Sequence, residues 1–111
     1  MRYCSYNFAV SRLRFEWDEA KNLSNQRKHG VSFREAIEVF LDPLCVSVKD
    51  RVVDGEQRWQ TFGEVAGRLL LMVAHTAREV DKHGEAFDVM RIVSARRASR
   101  KERQRYEEEN R

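Results

Sequence analysis

Apolar residues recur along this chain with two periods, and the change between them falls near position 44. Phe33, Ala36, Ile37 and Phe40 stand at i, i+3, i+4 and i+7, the stripe that a helix buries on one side. Ser32 just before them and Glu35 three residues later form a capping-box pattern, and Asp42-Pro43 closes the segment. Upstream, Asp18 can cap an earlier helix that runs to His29, with Gly30 as its stop. That helix is weakly amphipathic, Ala20 and Leu23 being its clearly apolar residues. Arg14-Phe15-Glu16-Trp17 reads as a short strand, and residues 1–13 as an extra strand or an arm.

From Leu44 the period becomes two. Leu44, Val46 and Val48 alternate with Cys45, Ser47 and Lys49 in a first long strand. Asp54-Gly55-Glu56 marks a turn, residues 58–65 read as the next strand, and Ala66-Gly67 turns the chain again. Residues 68–76 are apolar on both faces, which predicts the central strand. A polar loop over 78–85 then leads into a strand at 87–95. Short connections of this kind predict an antiparallel meander of about four strands. Ser99 and Glu102 repeat the capping box at the start of a last helix. The fold class expected is α+β: two N-terminal helices, the meander, and a C-terminal basic helix. It forms one domain over 14–111, preceded by an extension, 1–13.

Composition narrows the function more than the fold. A chain of 111 residues supports one modest core. The net charge of +3 predicts little, but its distribution predicts more. Residues 91–106 carry seven basic side chains against one acid, whereas Glu107-Glu108-Glu109 is acidic. That asymmetry favours an anionic partner at one end of the molecule. Cys4 and Cys45 form no CxxC and no zinc-like Cys/His spacing, so neither metal nor cofactor is expected. Cys45, in an apolar strand, reads as a buried free thiol. Residues 1–14 lack the apolar run of a signal peptide, and no stretch reaches the length of a membrane span. A cytoplasmic protein without a membrane partner is expected.

Arginines fixed on a strand end and a helix suit phosphate, because guanidinium forks pair bidentately with its oxygens. RNA cleavage by attack of a 2′-hydroxyl on the adjacent phosphate needs a base, an acid, and cations for the developing charge, and requires no metal. Arg91 is read on one strand face with Phe87, Val89 and Val93. An arginine in mid-strand faces a polar cleft or pairs with a carboxylate such as Glu56; both readings stand. His75, near the end of the central strand, suits proton transfer or a structural role. Arg58 opens a strand and can point into the same cleft. Lys28 and His29 close the first helix, where positive charge also favours the helix C-terminus. Tyr106 can stack on a base, donate a proton, or anchor its helix to the core. A binding module without catalysis remains the second reading; it predicts RNA binding without cleavage that weakens steeply with salt.

Taken in order, Phe15-Glu16-Trp17-Asp18, Lys21, Lys28-His29-Gly30-Val31-Ser32-Phe33, Glu35-Ala36 and Asp42-Pro43 resemble the BrnT toxin family. Glu56-Gln57-Arg58, Gly63, the run 71–76, the run 91–98, Glu102 and Tyr106 continue the resemblance, which covers about residues 14–107. It implies a ribonuclease toxin of a type II toxin–antitoxin system with a RelE-like fold. It implies a BrnA-like ribbon-helix-helix antitoxin as partner, in a heterotetramer that represses its own operon. Operator DNA would then be touched only through the antitoxin, while free toxin cleaves RNA and stops growth. Lys28, His29, Arg58, His75, Arg91, Ser94, Arg96, Arg97 and Tyr106 match motif positions of the family. The expected site has Arg91, Arg96 and Arg97 as a phosphate clamp, with Arg58, Arg100 and Arg103 as further phosphate contacts. His75 is the expected proton carrier, and Lys28 or Tyr106 the second participant. The extension 1–13 and the loop 78–85 depart from the family pattern.

Overall fold

The computed structural model describes residues 12–66 and 69–111. Asp18 caps α1 (Glu19–His29) by accepting from the amides of Ala20 and Lys21, and Gly30, at φ +70°, ends it. Ser32 and Glu35 form the full capping box of α2 (Phe33–Ala36). This second helix keeps the α form for only four residues and tightens into a 3-10 turn over Ile37–Leu41. The turn packs hard on the sheet: a Cβ on Gly63 would stand 2.8 Å from the Val39 carbonyl oxygen. The last helix, α3 (Arg100–Glu109), begins in the capping box of Ser99 and Glu102.

Strands β1 (Leu13–Glu16), β2 (Val46–Val53), β3 (Glu56–Val65), β4 (Leu69–Lys82) and β5 (Glu85–Arg97) form one sheet. Their order is β1-β5-β4-β3-β2, and β2 to β5 make the expected antiparallel meander. The sheet has five strands rather than about four. The fifth is the short N-terminal one, which pairs parallel to β5 with Glu16 opposite Arg91. Leu13 and Phe15 bring it there by joining the core, Phe15 lying 5.4 Å from Phe40 between ring centroids.

Residues 78–85 are not a loop. The two long strands continue through them and turn at His83-Gly84, both with positive φ (55° and 82°). That is the backbone a two-residue hairpin needs. The segment is polar because the arm extends beyond the core. Residues 1–11, including the strand-or-arm reading of the extension, lie outside the described residues.

Each face of the sheet has its own core. Leu71, Val73, Ile92 and Ala95 are buried beneath Val31, Phe33, Ala36, Val39 and Phe40. On the other face Val46, Phe62, Leu70 and Met72 pack around Tyr106 of α3. Cys45 is fully buried in the first core, and its reading as a free thiol is corrected. Its sulfur is engaged in a disulfide.

Candidate active site

Strand alternation decides which side chains stand on the α3 face. On β3 it places Glu56, Arg58 and Gln60 in line with the buried Phe62, and on β4 it places Thr76 and Arg78 in line with Ala74 and Met72. Through Tyr106 and its neighbours, α3 closes the half of the face that holds Phe62 and Met72. Among the described residues no helix packs over the other half.

On β5 the alternation slips. Ala74 pairs with Ser94 and His75 with Ile92, which leaves Val93 without a partner in the ladder. A bulge of this kind adds one residue to one strand and reverses the facing of the residues beyond it. It lets Ile92 and Ala95, three apart, both enter the core, and turns Arg91 and Ser94, also three apart, onto the open half. A second irregularity sets Asp50 and Arg51 against Arg58, between the pairs Lys49–Trp59 and Val52–Gln57. The result is a cleft of about 450 Å³, lined among others by Asp50, Arg51, Arg58, Gln60, Ala74 and Ser94. That volume falls in the range of small-ligand sites.

Across four strands two arginines, Arg91 of β5 and Arg78 of β4, stand between two carboxylates, Glu16 of β1 and Glu56 of β3. Arg91 donates to the Glu56 carboxylate, and Arg78 to Glu16 at 2.6 Å. The hydrogen bond from Arg78, with the positive charges of Arg78 and Arg91, holds the Glu16 carboxyl below its ordinary range. The bond to Glu16, with the negative charges of Glu16 and Glu56, raises the Arg78 guanidinium above its own. Arg58, two residues along β3 from Glu56, makes no ion pair among the described residues. Its Nε is out of contact with solvent and has no hydrogen-bond acceptor, and the buried Thr76 hydroxyl has no partner either. Such groups cost ~1–3 kcal/mol each when left unpaired, which an incoming oxyanion can recover at the arginine.

Only part of the expected site comes together here. Arg91 and Arg58 do. His75 does not: it has no exposed surface and lies on the other side of β4, edge-on to Phe40 at 5.0 Å. Its Nε2 bonds Thr61 at 2.7 Å and its Nδ1 the Thr76 carbonyl at 3.0 Å. Burial pushes its pKa down to about 4, against a smaller upward pull from that carbonyl. This placement keeps the His75 imidazole out of the cleft. Tyr106 also stands outside the cleft. Its hydroxyl donates to Asp42 at 2.6 Å, and burial, with that carboxylate, raises its pKa far above the ordinary value. The tyrosine meets β3 at Glu64, six residues and roughly 20 Å along the strand from Arg58.

Lys28 is exposed in the last turn of α1, which packs on the opposite face. Arg96 forms a two-pronged bond to Glu102 (2.9 and 3.0 Å), tying β5 to the start of α3 rather than waiting for phosphate. Arg97, Arg100 and Arg103 are exposed and do not line the cleft. Sequence reasoning did not single out Thr76, Arg78 or Asp50. The one available signal was the phase slip from Ile92 to Ala95, which announces the bulge.

These features define a small α+β protein whose sheet leaves an arginine-bearing half-face open beside a helix-capped core. Residues 17–102 match the family model for the ribonuclease toxin, BrnT, of type II toxin–antitoxin systems. The chain belongs to the BrnT family of ribonuclease toxins. Among solved structures it is similar to the ribonuclease toxin BrnT of Brucella abortus, whose crystal structure was determined at 1.1 Å. The two are 25% identical with a TM-score of 0.53, over 79% of this chain and 99% of that one. No curated protein matches the chain.

Proposed function

We propose that this protein is a cytoplasmic endoribonuclease toxin that cleaves RNA without a metal, by attack of a 2′-hydroxyl on the adjacent phosphate. The observation that carries the reading is the Arg58 guanidinium, its Nε buried and unpaired, in an open cleft beside Arg91. Arginine stays charged at every physiological pH, so this pair supplies the positive charge that a pentacoordinate phosphate needs. Arg96 is spent on Glu102, so the clamp is Arg58 with Arg91 rather than Arg91 with Arg96 and Arg97. The exposed Arg97, Arg100 and Arg103 then act at longer range, drawing RNA toward this end of the molecule.

The domain spans 14–111 and is RelE-like in this reading. A ribbon-helix-helix antitoxin neutralises it in a heterotetramer and carries the contacts to operator DNA. Family membership supports the pairing with an antitoxin. The test is cleavage of RNA by the purified protein in the presence of a chelator. Fragments ending in 2′,3′-cyclic phosphate are expected, and Arg58→Ala should slow their formation about 10²-fold while melting like wild type. RNA binding without cleavage by the folded protein would contradict this and favour the binding module without catalysis.

A further inference from the structure

With His75 and Tyr106 removed from the cleft, the proposed reaction lacks a proton acceptor. Among the described residues, four carboxylates share this face of the open half of the sheet: Glu16, Asp50, Glu56 and, at the hairpin tip six residues along β5 from Arg91, Glu85. Glu16 is held by Arg78 at 2.6 Å, at the far edge of the sheet from the cleft. Asp50 accepts from Gln60 Nε2 at 3.2 Å, and its main-chain carbonyl from Gln57, so it braces the cleft wall. Glu56 has one bonded partner among the described residues, Arg91, and keeps 40% of its side chain open to solvent. It shares a strand face with Arg58 at a spacing of two residues, roughly 7 Å. Two hydrogen bonds and the gap between a ribose 2′-oxygen and its neighbouring phosphate can span that distance.

We propose that Glu56 is the general base of RNA cleavage and that substrate phosphate releases it by taking over the Arg91 guanidinium. The proposal rests on the ribonuclease reading above. In the free protein Arg91 and Glu56 satisfy each other. When a phosphate occupies Arg91 and Arg58, the Glu56 carboxylate is freed beside the attacking ribose. Arg78 of β4 still faces it, so its charge is not left alone. The other charged neighbours are Arg58 on its own strand and Glu16 beyond the two arginines, and across β2 the paired residue is the uncharged Val53.

In the step itself the 2′-oxygen bonds to phosphorus as the bond from phosphorus to the 5′-oxygen breaks, and the leaving oxygen takes the electron pair. Glu56 receives the 2′ proton, and water protonates the 5′-oxygen. The products are a 2′,3′-cyclic phosphate and a 5′-hydroxyl, with no change of oxidation state. Glu56 then returns its proton to solvent.

The experiment compares wild type, Glu56→Gln and Glu56→Asp over a range of pH on one RNA. Binding of the same oligonucleotide with 2′-deoxyribose at the cleaved position is measured in parallel. Glu56→Gln is expected to lose about 10²–10⁴ in rate, the ordinary worth of a general base. It should also lose the acid limb of the rate profile, yet bind the deoxy analogue at least as tightly, since Arg91 no longer has to be won from a carboxylate. Glu56→Asp should restore part of the rate together with the limb. Wild type that cleaves, with Glu56→Gln cleaving at a similar rate and with the same profile, overturns the role of Glu56 alone. Loss of analogue binding in Glu56→Gln also overturns it, because the carboxylate would then be holding the site together. Folded wild type that binds but never cleaves overturns the ribonuclease reading and this proposal with it.

Discussion

The imidazole of His75 lies edge-on to Phe40, with Thr61 on one nitrogen and the Thr76 carbonyl on the other. Thr61 in turn bonds Ser47 at 2.5 Å, so a short polar chain crosses β2, β3 and β4 inside the core. A histidine at the end of a strand is chemically suited to catalysis, and nothing in its local sequence says which way it points. Alternation alone put it on the helix side, and burial did the rest. The unfolded chain takes up this proton near pH 6.5 and the folded chain only near 4, so acid favours unfolding through that window. At 1.36 kcal/mol for each unit, His75 should cost the fold about 3 kcal/mol by pH 4. Chemical denaturation of wild type and His75→Gln at about pH 7.5 and about pH 4 tests this. The variant should lose less stability on acidification; an equal loss in both would place the acid sensitivity elsewhere.

Among the elements, α1 departs furthest from what apolar pattern suggests. Ala20 and Leu23 are its clearly apolar residues, yet both are exposed. The helix docks through Asn22 and Asn25, which are buried. Asn25 donates to the carbonyls of Val31 and Ala95 and accepts from the Ala95 amide, so one amide side chain fastens helix to sheet. Asn22 accepts from the Phe33 amide and so holds the start of α2. Asn25→Ala should destabilise the protein by about 2–4 kcal/mol, because it strands the Val31 carbonyl and the carbonyl and amide of Ala95. A change below about 0.5 kcal/mol in the denaturation midpoint analysis would sink that account.

Legibility in the sequence divides along the same line. The three caps and the turn at Asp54-Gly55 depend on residues within a few positions of one another, and local pattern places them well. The parallel edge strand, the bulge at Val93 and the asparagine dock depend on partners far along the chain, Asn25 and Ala95 being 70 residues apart, which no local pattern encodes. The site was legible to the same extent. Arg58 and Arg91 were named from the sequence and stand on the open half of one face, and Glu56 was met as a possible partner of Arg91. The bulge that brings Ser94 beside them was not.

For the whole molecule the arrangement separates structure from chemistry by face. Helices α1 and α2 close one side of the sheet, and α3 closes half of the other. The remaining quarter carries Arg58, whose Nε has no hydrogen-bond partner among the described residues, and the Arg91–Glu56 pair. Exposed Arg97, Arg100 and Arg103 lie outside the cleft, so they should govern the salt dependence of binding more than its position. RNA held on the open half-face would be located by NMR mapping of backbone amides. The folded protein would be titrated with a short oligonucleotide carrying 2′-deoxyribose at the cleaved position. Shifts are expected to concentrate at 50–51, 56–60, 74–78 and 91–94. Shifts confined to α1 around Lys28, or to α3 around Arg100 and Arg103, would contradict it.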